Sequence, residues 1–143
     1  MAGIKYTIRK NRLNKALLTG MKLEADGSVH TEETEDSSYL VLPLLDSGVE
    51  DCPWGRLHFE LNLEENSVCY LYVAACNART GQEMMLDALV SLLEKKRFLQ
   101  SLGGLQFINK PDVLLYEITG RFLWIVVEVL GKKAVIQNIQ VEA

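Results

Sequence analysis

The chain has 143 residues, a single domain by length, and its 48% hydrophobic and 24% charged residues exclude disordered, collagen-like and low-complexity classes. A chain of this size buries roughly 68–70% of its unfolded surface on folding, so neither a metal nor a disulfide is needed to hold it. The net charge of −4 conceals a segregation: residues 1–23 carry six basic and no acidic side chains, residues 24–36 carry six acidic side chains and no Lys or Arg, and the remainder accounts for the whole net charge.

The basic segment contains Lys5, Arg9, Lys10 and Arg12 around a short strand pattern, Ile4 to Arg9, and no apolar stretch suited to the core of a signal peptide. A cytoplasmic product is expected, leaving the cell only if a larger particle carries it. The two charge blocks suit either a solvated arm or an arm docked on an oppositely charged neighbour. Nucleic acid is not an expected partner, because the acidic block repels phosphate and few aromatic residues interleave the basic ones. Within this region Ala25-Asp26-Gly27 separates Met21 to Glu24 from Ser28 to Thr31 and predicts a hairpin.

Tyr39 to Leu45 reads as a strand that bends or lies at an edge near Pro43. The loop from Asp46 to Asp51 is acidic but lacks the ligand spacing of a calcium loop. Cys52, Cys69 and Cys76 match neither a zinc half-site nor a redox motif and read as small buried hydrophobes. Trp54, after Pro53, stands where a ring serves equally as a core edge or as an exposed contact for sugar or protein.

Leu57, Phe59, Leu61 and Leu63 alternate with polar residues, the pattern of a strand with one buried face. Val68 to Cys76 follows after Glu64 to Ser67, and the two are expected to pair as a hairpin. Thr80-Gly81-Gln82-Glu83 has the form of a capping box, and Met85, Ala88, Leu89, Leu92, Leu93 and Leu99 recur at helical spacing up to Gly103-Gly104. One amphipathic helix is therefore expected over about 81–102, either covering the sandwich or projecting Met85, Leu89 and Leu92 toward a partner. Arg121 to Leu130 and Ala134 to Val141 read as a second hairpin, with Trp124 in the core.

These elements predict a mainly β chain, an antiparallel β-sandwich of jelly-roll-like form with one inserted helix. Residues 1–36 form a charged arm and hairpin, and 37–143 the sandwich. No apolar run approaches the about 20 residues of a membrane-spanning helix, so no membrane insertion is expected. His30 and His58 have no nucleophile at a recognisable spacing, and no standard catalytic or phosphate-binding motif occurs. No enzyme, metal or cofactor is expected; a glycan hydrolase would require two carboxylates facing across a cleft.

Two clusters are more specific. Leu45-Asp46-Ser47-Gly48 with Trp54 and Arg56-Leu57, and Gly120-Arg121-Phe122-Leu123-Trp124-Ile125 with Glu128, Gly131, Ile139 and Val141, resemble a small tail-associated domain of phages and phage-tail-like contractile particles. Phe122 stands where that family usually has Tyr, and the turn Gly131 to Ala134 is shorter than the family's Gly-rich loop. The resemblance implies a non-enzymatic structural subunit, in or near a baseplate, whose partners are other tail subunits or copies of itself in a ring. Asp46, Gly48, Arg56, Gly120, Arg121 and Trp124 are then framework residues, and Arg121 is expected to pair with Asp46 or Asp112. Lys5, Arg9, Lys10, Arg12, Trp54, Met85, Leu89 and Leu92 are candidate partner contacts. The alternative is a carbohydrate-binding module that uses Trp54 and nearby tyrosines.

Overall fold

Alternation along the longer strands sorts their side chains into layers, and the computed structural model shows the result for residues 4–32, 36–131 and 133–143. In chain order the elements are β1 (Lys5–Ile8), α1 (Lys10–Leu13), β2 (Leu17–Thr19), β3 (Met21–Leu23), β4 (Val29–Thr31), β5 (Ser37–Val41), β6 (Leu45–Asp46), β7 (Arg56–Leu63) and β8 (Val68–Cys76). After these come α2 (Gln82–Met85), α3 (Leu92–Ser101), β9 (Leu105–Ile108), β10 (Asp112–Leu114), β11 (Phe122–Leu130) and β12 (Ala134–Glu142). The first sheet runs β10-β7-β12-β4-β3 with β1 also on β12; the second runs β2-β5-β11-β8-β9 with β6 also on β11. All these pairings are antiparallel, and the chain is a β-sandwich.

The main core lies between the sheets, where Leu57, Phe59, Ile136 and Val141 meet Leu71, Val73, Leu123, Ile125 and Val127. Alternate residues of β11 point the other way. Trp124 and Val126 join Tyr39, Val41, Ala74, Met85 and Leu99 in a second cluster, sealed by α2 and α3 on the outer face of the second sheet. Burial on both faces explains the apolar run from Phe122 to Val127 in β11.

Two expectations need correction. Neither long pair is a hairpin: β7 and β12 belong to the first sheet, β8 and β11 to the second, so each connection arches from one sheet to the other. The two arches pack together, with the Glu64 N–H donating to the Lys133 carbonyl at 3.1 Å. A Cβ added at Gly131 would come within 2.6 Å of the Ser67 Cβ, so the tight approach requires glycine there. Lys132, in the second arch, lies outside the described residues.

The single helix is also two helices, broken over 86–91. Gly81, in the left-handed conformation, precedes α2 without a side-chain cap, whereas the Ser91 hydroxyl accepts from the Glu94 N–H at the start of α3. The effective Ser-x-x-Glu signal is thus eleven residues after the one read from Thr80 and Glu83. Gly103 does end α3 in the left-handed conformation.

Finally, the strand pairing shows no boundary near residue 36. β1 zips onto β12, β2 onto β5, and the hairpin of β3 and β4, formed around Gly27 as the Asp-Gly turn predicts, extends the first sheet through β12. The acids Glu33 and Glu35 lie outside the described residues.

Candidate functional site

The two clusters that carry the resemblance meet at one corner of the sandwich. β6 pairs with the start of β11, which sets Asp46 opposite Phe122. The Arg121 guanidinium then grips the Asp46 carboxylate with two bonds, Nε to Oδ1 at 2.8 Å and Nη2 to Oδ2 at 2.9 Å. Gly48, at φ +75°, donates its N–H to Asp46 Oδ1 at 2.8 Å. The hydrogen bonds from Arg121, with help from the Gly48 N–H and the charges of Arg121 and Arg79, hold the Asp46 carboxyl down to about 2. Arg79 and Arg121 also place their guanidinium carbons 4.9 Å from the Phe122 ring centre.

Beneath this pair, Gly120 runs so close to Cys76 that an added Cβ would meet its backbone nitrogen at 2.5 Å. Its carbonyl accepts from the Trp54 indole N–H at 2.8 Å. Trp54 is fully buried, against the Tyr6 ring at 5.9 Å, which removes it as a surface platform for either sugar or protein. The other acid considered for Arg121, Asp112, instead takes a bidentate pair from Arg56 at 2.7 and 2.6 Å. These motif residues therefore build a framework.

The candidate contact residues separate. Lys5, Arg9, Lys10 and Arg12 are exposed, and Lys10 reaches the Ala25 carbonyl at 3.4 Å. Met85 is fully buried and is corrected from contact to core; Leu92 is half-buried and packs against the same cluster. Leu89 projects at 95% exposure from the break between the helices. That break is held by Lys95, a fully buried cation whose ammonium donates to the carbonyls of Asp87 and Val90 at 2.7 and 2.6 Å and to the Tyr39 hydroxyl at 3.4 Å. A lysine in an amphipathic helix ordinarily faces water, but an interrupted helix leaves carbonyls to be satisfied, and Lys95 turns inward to them.

Two further clusters bear on chemistry. Around the β3–β4 turn, Ser28 Oγ lies 2.5 Å from Asp26 Oδ1 and 2.9 Å from His30 Nε2. The serine donates to the carboxylate, so His30 Nε2 supplies the proton of the other bond and is not the base that a nucleophilic serine requires. Ser28 is also buried. Among the described residues, no group of three His, Cys, Asp or Glu side chains is placed to hold a metal, and no helix is long and apolar enough to cross a membrane.

The outer face of the second sheet holds an open groove of about 480 Å³ beside α3. Tyr70 and Tyr72 form its floor, with ring centres 6.3 Å apart and planes 16° from parallel. Lys96 on α3 pairs with Glu128 at 2.9 Å, and the Tyr72 hydroxyl donates to the same Glu128 oxygen at 2.8 Å. Burial, together with the bond to Glu128, pushes the Tyr72 phenol up to about 12. Burial opposes the charge of Lys96, but its hydrogen bonds to Glu128 and Tyr72 outweigh it and raise the pKa. The sequence holds these residues on three separate elements, so no spacing announces the groove.

No protein-family model and no curated protein sequence matches the chain. Solved structures do. A glycosylation-associated protein (Gap123) complex from Streptococcus agalactiae superposes with a TM-score of 0.54 at 13% identity, over 96% of this chain and 25% of that one. A family two carbohydrate esterase from Cellvibrio japonicus gives 0.47 at 12% identity, over 99% and 33%. A protein of unknown function with a galectin-like fold from Bacillus subtilis gives 0.45 at 13% identity, over 98% and 94%. This chain thus spans a quarter of the first and a third of the second. At such identities the likeness is one of fold.

Proposed function

We propose that this chain is a non-catalytic structural subunit of a contractile phage-tail-like particle, in or near its baseplate, acting through protein–protein contacts. The observation that supports this reading is the corner built by Asp46, Gly48, Trp54, Gly120 and Arg121. The residues that carry the resemblance to the tail-associated family bind one another. A shared frame of this kind suits a component whose contacts vary from particle to particle. The exposed cations Lys5, Arg9, Lys10 and Arg12 and the projecting Leu89 are the contact surface of this reading.

Purification of the native particle from the producing cell tests it. The chain should be present at fixed stoichiometry, and replacing Lys5, Arg9, Lys10 and Arg12 together by Glu should remove it from assembled particles while leaving the isolated fold intact. Intact particles that lack the chain overturn the proposal. The carbohydrate-binding alternative loses Trp54 as its platform, but a different pair of aromatic rings revives it at another place.

A further inference from the structure

The helical layer covers only part of the outer face of the second sheet. Strand register places Gln106, Tyr72, Val126 and Val41 in one cross-strand row and Ile108, Tyr70, Glu128 and Tyr39 in the next. Val126, Val41 and Tyr39 lie within the cluster sealed by α2 and α3, whereas Ile108 is 52% exposed and Tyr70 is only half-buried. Of these rows, Gln106, Tyr72, Tyr70 and Glu128 line the groove, and Lys96 and Gln100, one helical turn apart on α3, form its wall.

From this arrangement we infer that the groove is a binding site for a neutral saccharide, with a pyranose ring laid on Tyr70 and Tyr72 and its hydroxyls on the polar wall. Near-parallel phenol rings present a flat apolar platform of the kind that the C–H face of a sugar covers. Lys96 and Glu128 neutralise each other, so the groove offers no net charge to an ionic ligand. Both Glu128 contacts use Oε1, which leaves Oε2 as an acceptor for a hydroxyl. The side-chain amides of Gln100 and Gln106 form no hydrogen bond among the described residues, and each supplies both a donor and an acceptor. A few convergent polar groups around an apolar floor, in a volume within the roughly 300–1,000 Å³ of small-molecule sites, are what a mono- or disaccharide requires. An extended peptide cannot add as a strand to β8, whose backbone is already paired on both sides, to β11 and β9.

The inference does not rest on the particle reading, since incorporation into particles and saccharide binding are measured separately. The test is titration of the full chain, followed by amide NMR, with glucose, galactose, N-acetylglucosamine, cellobiose, lactose and chitobiose. At least one should give saturable shifts confined to β8, β9, α3 and Glu128. Tyr70→Ala should weaken that binding about tenfold and Gln106→Ala about threefold, while Tyr70→Phe keeps it within about twofold. Gln106→Ala lies on an exposed edge strand, so it reads the site even if Tyr70→Ala fails to fold. Absence of shifts with every sugar, shifts confined to another surface, or binding indifferent to both Tyr70→Ala and Gln106→Ala would overturn the proposal.

Discussion

Among the described residues Asp46 is the most connected acid, gripped by Arg121, approached by Arg79 at 3.4 Å and capped by the Gly48 N–H. Because folding lowers its pKa from an ordinary 3.8 to about 2, the ionised carboxylate stabilises the folded state above pH 3.8, and that contribution is lost as pH falls from 3.8 to about 2. Asp46→Asn should therefore melt at a lower temperature than the parent above about pH 5, with the gap closing through that acid window. Thermal melts of both proteins from neutral pH to pH 2 check this, and a gap that stays constant with pH would show that the ionic pair contributes nothing. That Arg121 pairs with an acid was legible only from the co-occurrence of the two motif clusters. Which acid it takes was not, because the choice between Asp46 and Asp112 depends on strand neighbours far apart in the chain. Trp54 shows the same limit: its environment is decided by the Gly120 carbonyl, 66 residues away.

Strand positions were legible from alternation, but strand partners were not. Short polar connections at 64–67 and 131–133 look like hairpin turns, yet both cross between sheets. An arch and a hairpin differ in where the flanking strands find hydrogen bonds, and local sequence does not record that. The short strands β2, β9 and β10 have too few residues to display a period, so they escaped notice. The helical stripe was real in composition but lacked continuity, because Lys95 turns inward to satisfy the carbonyls of Asp87 and Val90. Replacing it tests this account. Lys95→Met keeps much of the volume but leaves those carbonyls unpaired, and it should cost roughly 1–3 kcal/mol per unsatisfied group. Amide exchange should accelerate over 86–91 more than in the sheets. A variant as stable as the parent, with unchanged exchange in that segment, would show that Lys95 does not hold the break.

The charge segregation that sets residues 1–36 apart in sequence has no counterpart in the strand order. Residues 4–32 supply β1, β2, β3 and β4, strands that belong to both sheets, and Ile8, Leu13, Met21 and Val29 enter the main core. Charge patterning reports what a segment shows to solvent; its apolar residues report where it packs. An isolated chain should therefore protect β1, β2, β3 and β4 from hydrogen exchange along with the rest of the sandwich. Exchange of these strands at random-coil rates in a monomer would overturn that expectation.

β12 has a further consequence. It is bonded to β7 along one side and to β4 and then β1 along the other, the change of neighbour coinciding with a bulge near Asn138, whose φ is +54°. Every one of those partners precedes it in the chain. During vectorial synthesis β1, β4 and β7 therefore each lack a partner until β12 leaves the ribosome, whereas β5, β6 and β8 await only β11. The second sheet is thus ready to close first and the first sheet last, around a strand that arrives after all its neighbours.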